Sequence, residues 1–515
     1  MPKILEILPD TAFAYLDIYN FDSVFSSAKN SEFVKRLSES SLWINFKTTR
    51  LWAIIERDLY DFQQMGLSRS TINRLIGKHA TIAFYGINTS QPSSGLSYLL
   101  ISKLDMLTRL LIATGQIERL ISPDYEVIKE RYEGFRLITI KSPEWQYIYA
   151  FAGRAGLLST DINIIKNTID IYRHKHKGLT ALPRFIELTS TIPKSDISFY
   201  INPERVLESA SLLIEYGINP QRLSFLSNIG LWAGIASNSK DGLEIDNFIL
   251  NKNGKASKTE TSLVERLPIP ENALMFITHK TLKPEKLFAL MEKYISPRLF
   301  IFRQVLLPVV EESLAEALIA PSSVEYLTVP SFLFFMKVNN KLMAEESLRQ
   351  IKDIMKYQSP QISFSEIEHN GEKISYSSSF PGIYLPIGFG YTIIKNDTLA
   401  ISTDMATLKS VVDVSNGKQK SIVKQAQYES VMNSLSKGSD NTLFINLADI
   451  EPIAQQFAKL YLFQGMITGK RSSEKNERYV LMIADNAQIL RSWKNLGAVW
   501  YSEADRLILK LLLKH

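Results

Sequence analysis

The chain has 515 residues, too many for one ordinary core, and its 45% apolar and 22% charged content is that of a folded protein rather than a disordered one. Lys plus Arg number 59 against 53 Asp plus Glu, an excess too thin for the concentrated basic stripe of a dedicated nucleic-acid binder. Cysteine is absent, which excludes disulfides, thiolate metal sites and cysteine nucleophiles and tilts the expected location towards an oxidising compartment.

Leu8-Pro9 leads into a strand-like run, Ala12 to Leu16, and residues 20–78 read as helical. Thr81–Gly86 and Tyr98–Ser102 read as paired strands. Asp105 then stands as an N-cap before a helix whose apolar recurrence is Met106, Leu110, Ile117 and Ile121. Glu133-Gly134 marks a hairpin between alternating runs, and Arg154-Ala155-Gly156 a second turn. Ser159-Thr160-Asp161 ends a strand and opens a helix carrying Ile162, Ile165 and Ile169. A strand ending Tyr200-Ile201-Asn202 follows, and Leu231–Ser237 with Leu243–Leu250 complete the half.

Asn251 to Lys258 is a polar, turn-rich linker, after which the order starts again. Leu267-Pro268 leads into Ala273–Ile277, and residues 283–320 read as helical. The apolar run Leu299–Val310, broken by Arg303-Gln304 and Pro308, is too short to span a membrane and reads as a core helix or the wall of a groove. Val324–Val329 and Phe332–Val338 read as paired strands, Glu345–Met355 as a helix, and Asn370-Gly371 as a hairpin turn. Lys395-Asn396-Asp397 is a further turn, and Ala498–Tyr501 with Leu507–Leu513 are the last strands.

Ser159-Thr160-Asp161, Lys166 and Asp170 recur as Ser402-Thr403-Asp404, Lys409 and Asp413 at an offset of 243 residues. Ser195-Asp196 and Tyr200-Ile201-Asn202 recur as Ser439-Asp440 and Phe444-Ile445-Asn446 at 244. The spacing implies two tandem α+β repeats, residues 1–262 and 263–515, each an antiparallel sheet with helices packed on it.

The candidate motifs point away from chemistry. Ser159-Thr160-Asp161 and its counterpart read as helix caps. Ser26-Ser27-Ala28-Lys29 with Ser439-Asp440-Asn441 mimics two boxes of a penicillin-binding signature, but the third, Lys-Thr-Gly, is missing. Gly465 to Ser472 is one residue short of a phosphate loop, and Arg471 stands where a magnesium-binding hydroxyl belongs. Gly388-Phe389-Gly390 lacks the third glycine of a dinucleotide turn. Arg173-His174-Lys175-His176-Lys177 reads as a solvated basic loop, able to touch phosphate or lipid headgroups, rather than a metal site. Glu366 and Glu368 fit the outward face of a strand, and Glu311, Glu312 and Glu316 the polar side of a helix. Leu299–Val310 and Tyr461-Leu462-Phe463 are candidate walls of an apolar groove. No catalytic, cofactor-binding or metal-ligating residues are expected, and no cofactor.

Leu8, Pro9, Asp10, Thr11, Tyr15 and Leu16, with Leu157 to Asp161 running into a helix and the strand ending Tyr200-Ile201-Asn202, resemble a bacterial envelope-protein family of unknown function. Its members commonly begin with a leader or membrane anchor, whereas this N-terminus has no basic region followed by an apolar stretch. The resemblance implies no catalytic residues. Together these features lead us to expect a non-enzymatic binding or scaffold protein of the periplasm or another extracytoplasmic place. It would engage a protein partner or lipid-like ligand between its pseudo-symmetric halves, touch the membrane peripherally and recognise no specific nucleic acid. The alternatives are a hydrolase with its site in the longer helical insert of the first repeat, and a cytoplasmic anion- or nucleic-acid-associated protein using the 173–177 loop.

Overall fold

The computed structural model describes residues 4–48, 74–87, 96–115, 125–142, 145–190, 192–209, 229–239, 242–251, 263–279, 283–294, 300–321, 330–379, 388–435, 441–450, 492–503 and 506–514, with isolated positions in 52–60, 223–227, 452–453 and 486–489. The fold is α+β, with helices on antiparallel sheet. It divides into unit 1 (Met1–Ser239, Leu243–Ser257 and Ser502–Ile508) and unit 2 (Lys240–Gly242, Lys258–Tyr501 and Leu509–His515).

Unit 1 runs β1 (Ala14–Ile18), α1 (Phe21–Asn30), α2 (Glu32–Glu39), α3 (Ser41–Lys47), β2 (Ala80–Ile87), β3 (Leu96–Lys103) and α4 (Met106–Ala113). Next come β4 (Glu126–Tyr132), β5 (Phe135–Lys141), β6 (Gln146–Ala152), β7 (Ala155–Ser159), α5 (Ile162–Tyr172) and α6 (Pro183–Thr189). It closes with β8 (Ile197–Ile201), α7 (Pro203–Glu208), β9 (Ile229–Ser239) and β10 (Gly242–Asn251). The sheet order is β10-β9-β8-β1-β2-β3-β7-β6-β5-β4. Helix α5 lies on β6 and β7, and α6 on β9. Under them Tyr15 on β1 stacks on Tyr200 of β8 with centroids 5.6 Å apart, and Phe185 of α6 meets Tyr200 edge-on at 5.3 Å.

Unit 2 runs β11 (Ala273–Thr278), α8 (Pro284–Tyr294), α9 (Phe300–Leu306), β12 (Val310–Ile319), β13 (Ser331–Val338), α10 (Lys341–Gln358), β14 (Ser365–His369) and β15 (Glu372–Ser377). It continues with β16 (Phe389–Ile394), β17 (Thr398–Ser402), α11 (Met405–Ser415), α12 (Ala426–Met432), β18 (Asn441–Asn446), β19 (Asn495–Glu503) and β20 (Arg506–Lys514). Its sheet order is β20-β19-β18-β11-β12-β13-β17-β16-β15-β14. Leu408, Val411 and Val412 of α11 pack on Phe276, Leu333 and Phe335 in one core. Phe302 and Leu306 of α9, with Leu348 and Ile351 of α10, build a second on Phe389, Leu399 and Ile401. Phe276, Phe444 and Tyr428 form an aromatic trio with centroids 5.5 to 5.9 Å apart.

The hairpin turns obey their local chemistry. Glu133 and Gly134 have φ of 52° and 84°, and Asn370 and Gly371 have 49° and 86°. Two consecutive positive φ values give the turn whose twist matches that of the flanking strands.

Three readings need correction. Of the helical segments expected over 283–320, α8 and α9 are found but the second ends at Leu306, and Val310–Ile319 is strand β12, bonded to β11 and β13. Its Ala, Glu and Leu are good helix formers, but propensity amounts to only about 0.7 kcal/mol per residue or less, and pairing on both edges overrides it. Glu311, Glu312 and Glu316 therefore lie on a strand, and Leu299–Val310 does not form one helix. The turn placed at Arg154-Ala155-Gly156 falls one residue earlier, because Gly153 takes the positive φ of 67° while Ala155 and Gly156 begin β7. In α4, Met106 and Leu110 face solvent, while Thr108 turns inwards. Val324–Val329, Ile117 and Ile121 lie outside the described residues.

Candidate functional site

The recurring Ser-Thr-Asp segments are capping devices. Asp161 Oδ1 accepts the Asn163 amide at 2.8 Å at the start of α5, and Asp404 Oδ2 accepts the Thr407 amide at 2.8 Å at the start of α11. Ser159 and Ser402 in turn accept the amides of those aspartates at 3.1 and 3.2 Å. The two aspartates thus satisfy amides that a helix start leaves open, while Ser159 also donates to the Tyr98 carbonyl at 2.6 Å and Thr403 accepts the Phe332 amide at 3.0 Å, tying each motif to the neighbouring strand.

The other motifs disperse. Ser26 lies in α1 and donates to the Ser23 carbonyl, in unit 1, whereas Asn441 is in unit 2 and donates to the Trp500 carbonyl. Ser439, Asp440, the 465–472 loop and Tyr461–Phe463 fall outside the described residues. Gly388 and Gly390 make room for the Tyr376 ring; a Cβ on Gly390 would stand 2.7 Å from it, so they are packing glycines. Ser195 donates to the Ala236 carbonyl at 2.6 Å, fixing a turn before β8. The basic loop Arg173–Lys177 is exposed throughout, with His174 in the left-handed region, and Lys175 reaches Glu133 at 2.7 Å and Asp170 at 3.2 Å.

Asp170 and Asp413, matched by the sequence offset, both tie a hairpin to the end of a helix. Tyr132 donates to Asp170 at 2.7 Å in unit 1, while His369 meets Asp413 at 2.8 Å in unit 2. Burial pushes the Asp170 carboxyl up, but the bonds from Tyr132 and Lys175 outweigh it and hold it below the usual carboxylate range. Glu366 and Glu368 are exposed on β14, as alternation demands. Hydrogen bonds from Lys352 and Lys373, each at 2.6 Å, lower Glu366 to about 2.

The strongest convergence of acid, base and hydroxyl is at the strand ends of unit 1, and sequence reasoning missed it. Asp17 on β1 lies directly across from Thr81 on β2, and its Oδ1 accepts the Thr81 hydroxyl. The same oxygen meets Nε2 of His79 at 2.8 Å, so in this pair Nε2 carries the proton and donates. Asp17 is only 9% exposed, Thr81 is fully buried, and the Tyr19 ring stands 5.0 Å from the imidazole. Strand β1 ends at Ile18 and β2 begins at Ala80, so the pair sits where the chain leaves the first strand and enters the second. Nδ1 of His79 is then the nitrogen left to accept a proton, an arrangement that would suit a general base. Among the described residues, however, no hydroxyl donates to His79, so a nucleophile–base–orienter set is not assembled. In unit 2 the residue at the matching register, opposite Ala315 and Thr442, is Thr278 rather than an acid. No group of three His, Cys, Asp or Glu able to hold a metal gathers among the described residues. The signal available in sequence was the single aspartate in an otherwise apolar strand, Ala14-Tyr15-Leu16-Asp17-Ile18, which is costly unless partnered.

No family model and no curated protein matches the chain. Among solved structures it is similar to two described as crystal forms I and III of TP0453, at 11% and 10% identity. Each match covers 50% of this chain and 82% or 83% of the other, with TM-scores of 0.26 and 0.25, a likeness too slight to assign fold or function.

Proposed function

We propose that the chain is a non-enzymatic binding or scaffold protein of the bacterial envelope, built from two tandem α+β repeats over residues 1–262 and 263–515. The observation that carries this reading is where the recurring polar residues are spent. Asp161 and Asp404 cap helices, and Asp170 and Asp413 clasp hairpins, so what recurs is scaffold rather than chemistry. The strand orders of the two units correspond position for position, and the trio Tyr15, Tyr200 and Phe185 matches Phe276, Phe444 and Tyr428; both support the duplication. The lack of cysteine suits passage through an oxidising compartment. Native mass spectrometry of protein purified gently from its host tests the reading. A co-purifying lipid or polypeptide is the expected result; a bare 58.6 kDa chain under every gentle condition would refute stable ligand carriage.

One observation favours a second reading, a hydrolase: the Asp17–His79 pair, with the Thr81 hydroxyl on the same carboxylate, stands where β1 ends and β2 begins in unit 1, whereas the histidine–carboxylate pair of unit 2, His279 with Glu316 at 2.8 Å, is built on different positions. Turnover of activated esters by the wild type, lost in His79→Phe while folding persists, would establish it in place of the first.

A further inference from the structure

The geometry points to a self-made cross-link in unit 2, an amide bond between the side chains of Lys418 and Asn370. This goes beyond the binding reading and holds whatever the chain binds.

The hairpin clasps of the two units press corresponding lysines against different partners. Lys175 and Lys418 follow α5 and α11 at the 243-residue offset, and each reaches the first residue of a hairpin turn. In unit 1 that residue is Glu133, whose carboxylate meets the ammonium at 2.7 Å, with Asp170 at 3.2 Å. In unit 2 it is Asn370, whose Oδ1 accepts from Lys418 Nζ. A carboxylate neutralises an ammonium, whereas a carboxamide leaves the charge uncompensated. Lys418 is in no ion pair among the described residues. The two partners also differ in reactivity, because the carboxamide carbon bears a nitrogen that can depart as ammonia.

The site supplies the remaining parts of an amide exchange. Asn370 Nδ2 donates to Asp413 Oδ1, so the amide turns its oxygen to the lysine and its nitrogen to the acid. His369 Nε2 lies 2.8 Å from the same carboxylate oxygen and 3.2 Å from Nδ2. The frame is held at both ends. Asn416 Nδ2 donates to the Asn370 carbonyl at 3.0 Å, and the Lys418 amide donates to the Asp413 carbonyl at 2.8 Å. The carbon to be attacked, Cγ, is one C=O bond, about 1.23 Å, beyond the oxygen that Nζ already touches.

The reaction balances without an added reagent. Nζ, as the free amine, attacks Cγ and forms the new C–N bond. Asp413 takes the proton that Nζ loses and passes it to Nδ2. The Cγ–Nδ2 bond breaks, ammonia leaves, and nothing is oxidised or reduced. An amine attacks only without its proton, so the exchange quickens as pH rises. Asn370 and Lys418 are both exposed, so solvent carries the ammonia away and the bond is not reversed. The product ties the β14–β15 hairpin to the end of α11 across a separation of 48 residues, at the edge of the unit 2 sheet.

The test is intact-mass and tandem mass spectrometry of the full chain, fresh and after incubation at mildly alkaline pH. Wild type is expected to fall about 17 Da below its sequence mass, the mass of ammonia, in a fraction that grows with time and with pH. A branched peptide joining Asn370 to Lys418 locates the bond. Lys418→Arg keeps the charge but removes the nucleophile, and Asn370→Asp keeps the contact but removes the leaving group; neither should form the link. Asp413→Asn should slow it by about a hundredfold or more, the effect of losing a general acid–base. Lys175→Arg should form it as wild type does, because the partner of Lys175 is the carboxylate of Glu133. Circular dichroism confirms that each variant folds. A chain that keeps its full sequence mass overturns the inference. So does ammonia loss that persists in Lys418→Arg, which is succinimide closure onto the Gly371 amide. A chain that only grows heavier overturns it too, because that is deamidation of Asn370 without a cross-link.

Discussion

Replacing His79 with phenylalanine separates a structural role for the unit 1 cluster from a merely decorative one. Asp17 Oδ1 has two donors, the Thr81 hydroxyl and His79 Nε2 at 2.8 Å, and the acid is 9% exposed. Phenylalanine preserves the ring beside Tyr19 but removes one donor from a buried carboxylate. Depriving a buried acceptor of a donor costs about 1–3 kcal/mol, towards the upper end for a carboxylate, and the 16% and 13% exposure of these side chains lets water recover part of that. The expected loss is about 1–3 kcal/mol, confined to unit 1. Removing the whole set in D17V/H79F/T81V leaves no orphaned polar group, so it should recover to within about 1 kcal/mol of wild type. Two units make a single two-state fit unsafe, so urea unfolding belongs in a background with Trp493→Phe and Trp500→Phe, where Trp145 and Trp232 report on unit 1. At about 2–3 kcal/mol per molar urea, the single variant should lower the midpoint by about 1 M. An unchanged midpoint, or a triple variant as unstable as the single one, would refute the argument.

Asp161→Ala and Asp404→Ala should each destabilise their own unit by about 1 kcal/mol in calorimetry, because both remove a capping acceptor from a helix start. Phe276→Ala empties a fully buried position and should cost about 3–5 kcal/mol, read as a lowered denaturation midpoint of unit 2. Glu366 has its folded pKa depressed from 4.5 to about 2, so its contribution is complete above 4.5 and is lost as pH falls towards 2. The full shift corresponds to about 3 kcal/mol, but the side chain is 40% exposed and screening reduces this to about 1. Glu366→Gln should therefore flatten the acid limb of the unit 2 stability curve between those pH values.

Sequence alone reached features governed by neighbouring residues. Asn370-Gly371 declared its turn because few residues accept two positive φ values, and Asp161 and Asp404 declared their helices because a cap acts within three positions. Features governed by distant pairing were hidden. Val310–Ile319 looks helical until β11 and β13 are seen on its two edges, and Met106 and Leu110 look like a buried stripe until Thr108 is seen to face inwards. The Asp17–His79 pair spans 62 residues, a separation that no local pattern reports. The aromatic trios lay nearer to hand, since Phe185 and Tyr428 stand at the same 243-residue offset as the caps, but nothing in their spacing announced a contact with Tyr200 or Phe444.

Under the proposed duplication, what each half keeps and what it exchanges follows from the number of physical solutions open to each position. A helix start leaves amides that only a short oxygen-bearing side chain can reach from the cap, so aspartate stands at 161 and again at 404. The clasp needs an acceptor on the helix and any donor of suitable reach on the hairpin, so the acceptor is Asp170 or Asp413 while the donor is a tyrosine in one unit and a histidine in the other. The register held by Asp17 in one sheet and Thr278 in the other is freer still, because a buried carboxylate there requires donors to be supplied at the same time, and a threonine does not. An acid held at such a place by unit 1, together with both its donors, is therefore one position where the two units differ in chemistry rather than in scaffold, and unit 2 answers it one residue farther on with a different pair, His279 and Glu316. Activity and ligand-binding experiments that compare the two units should begin with it.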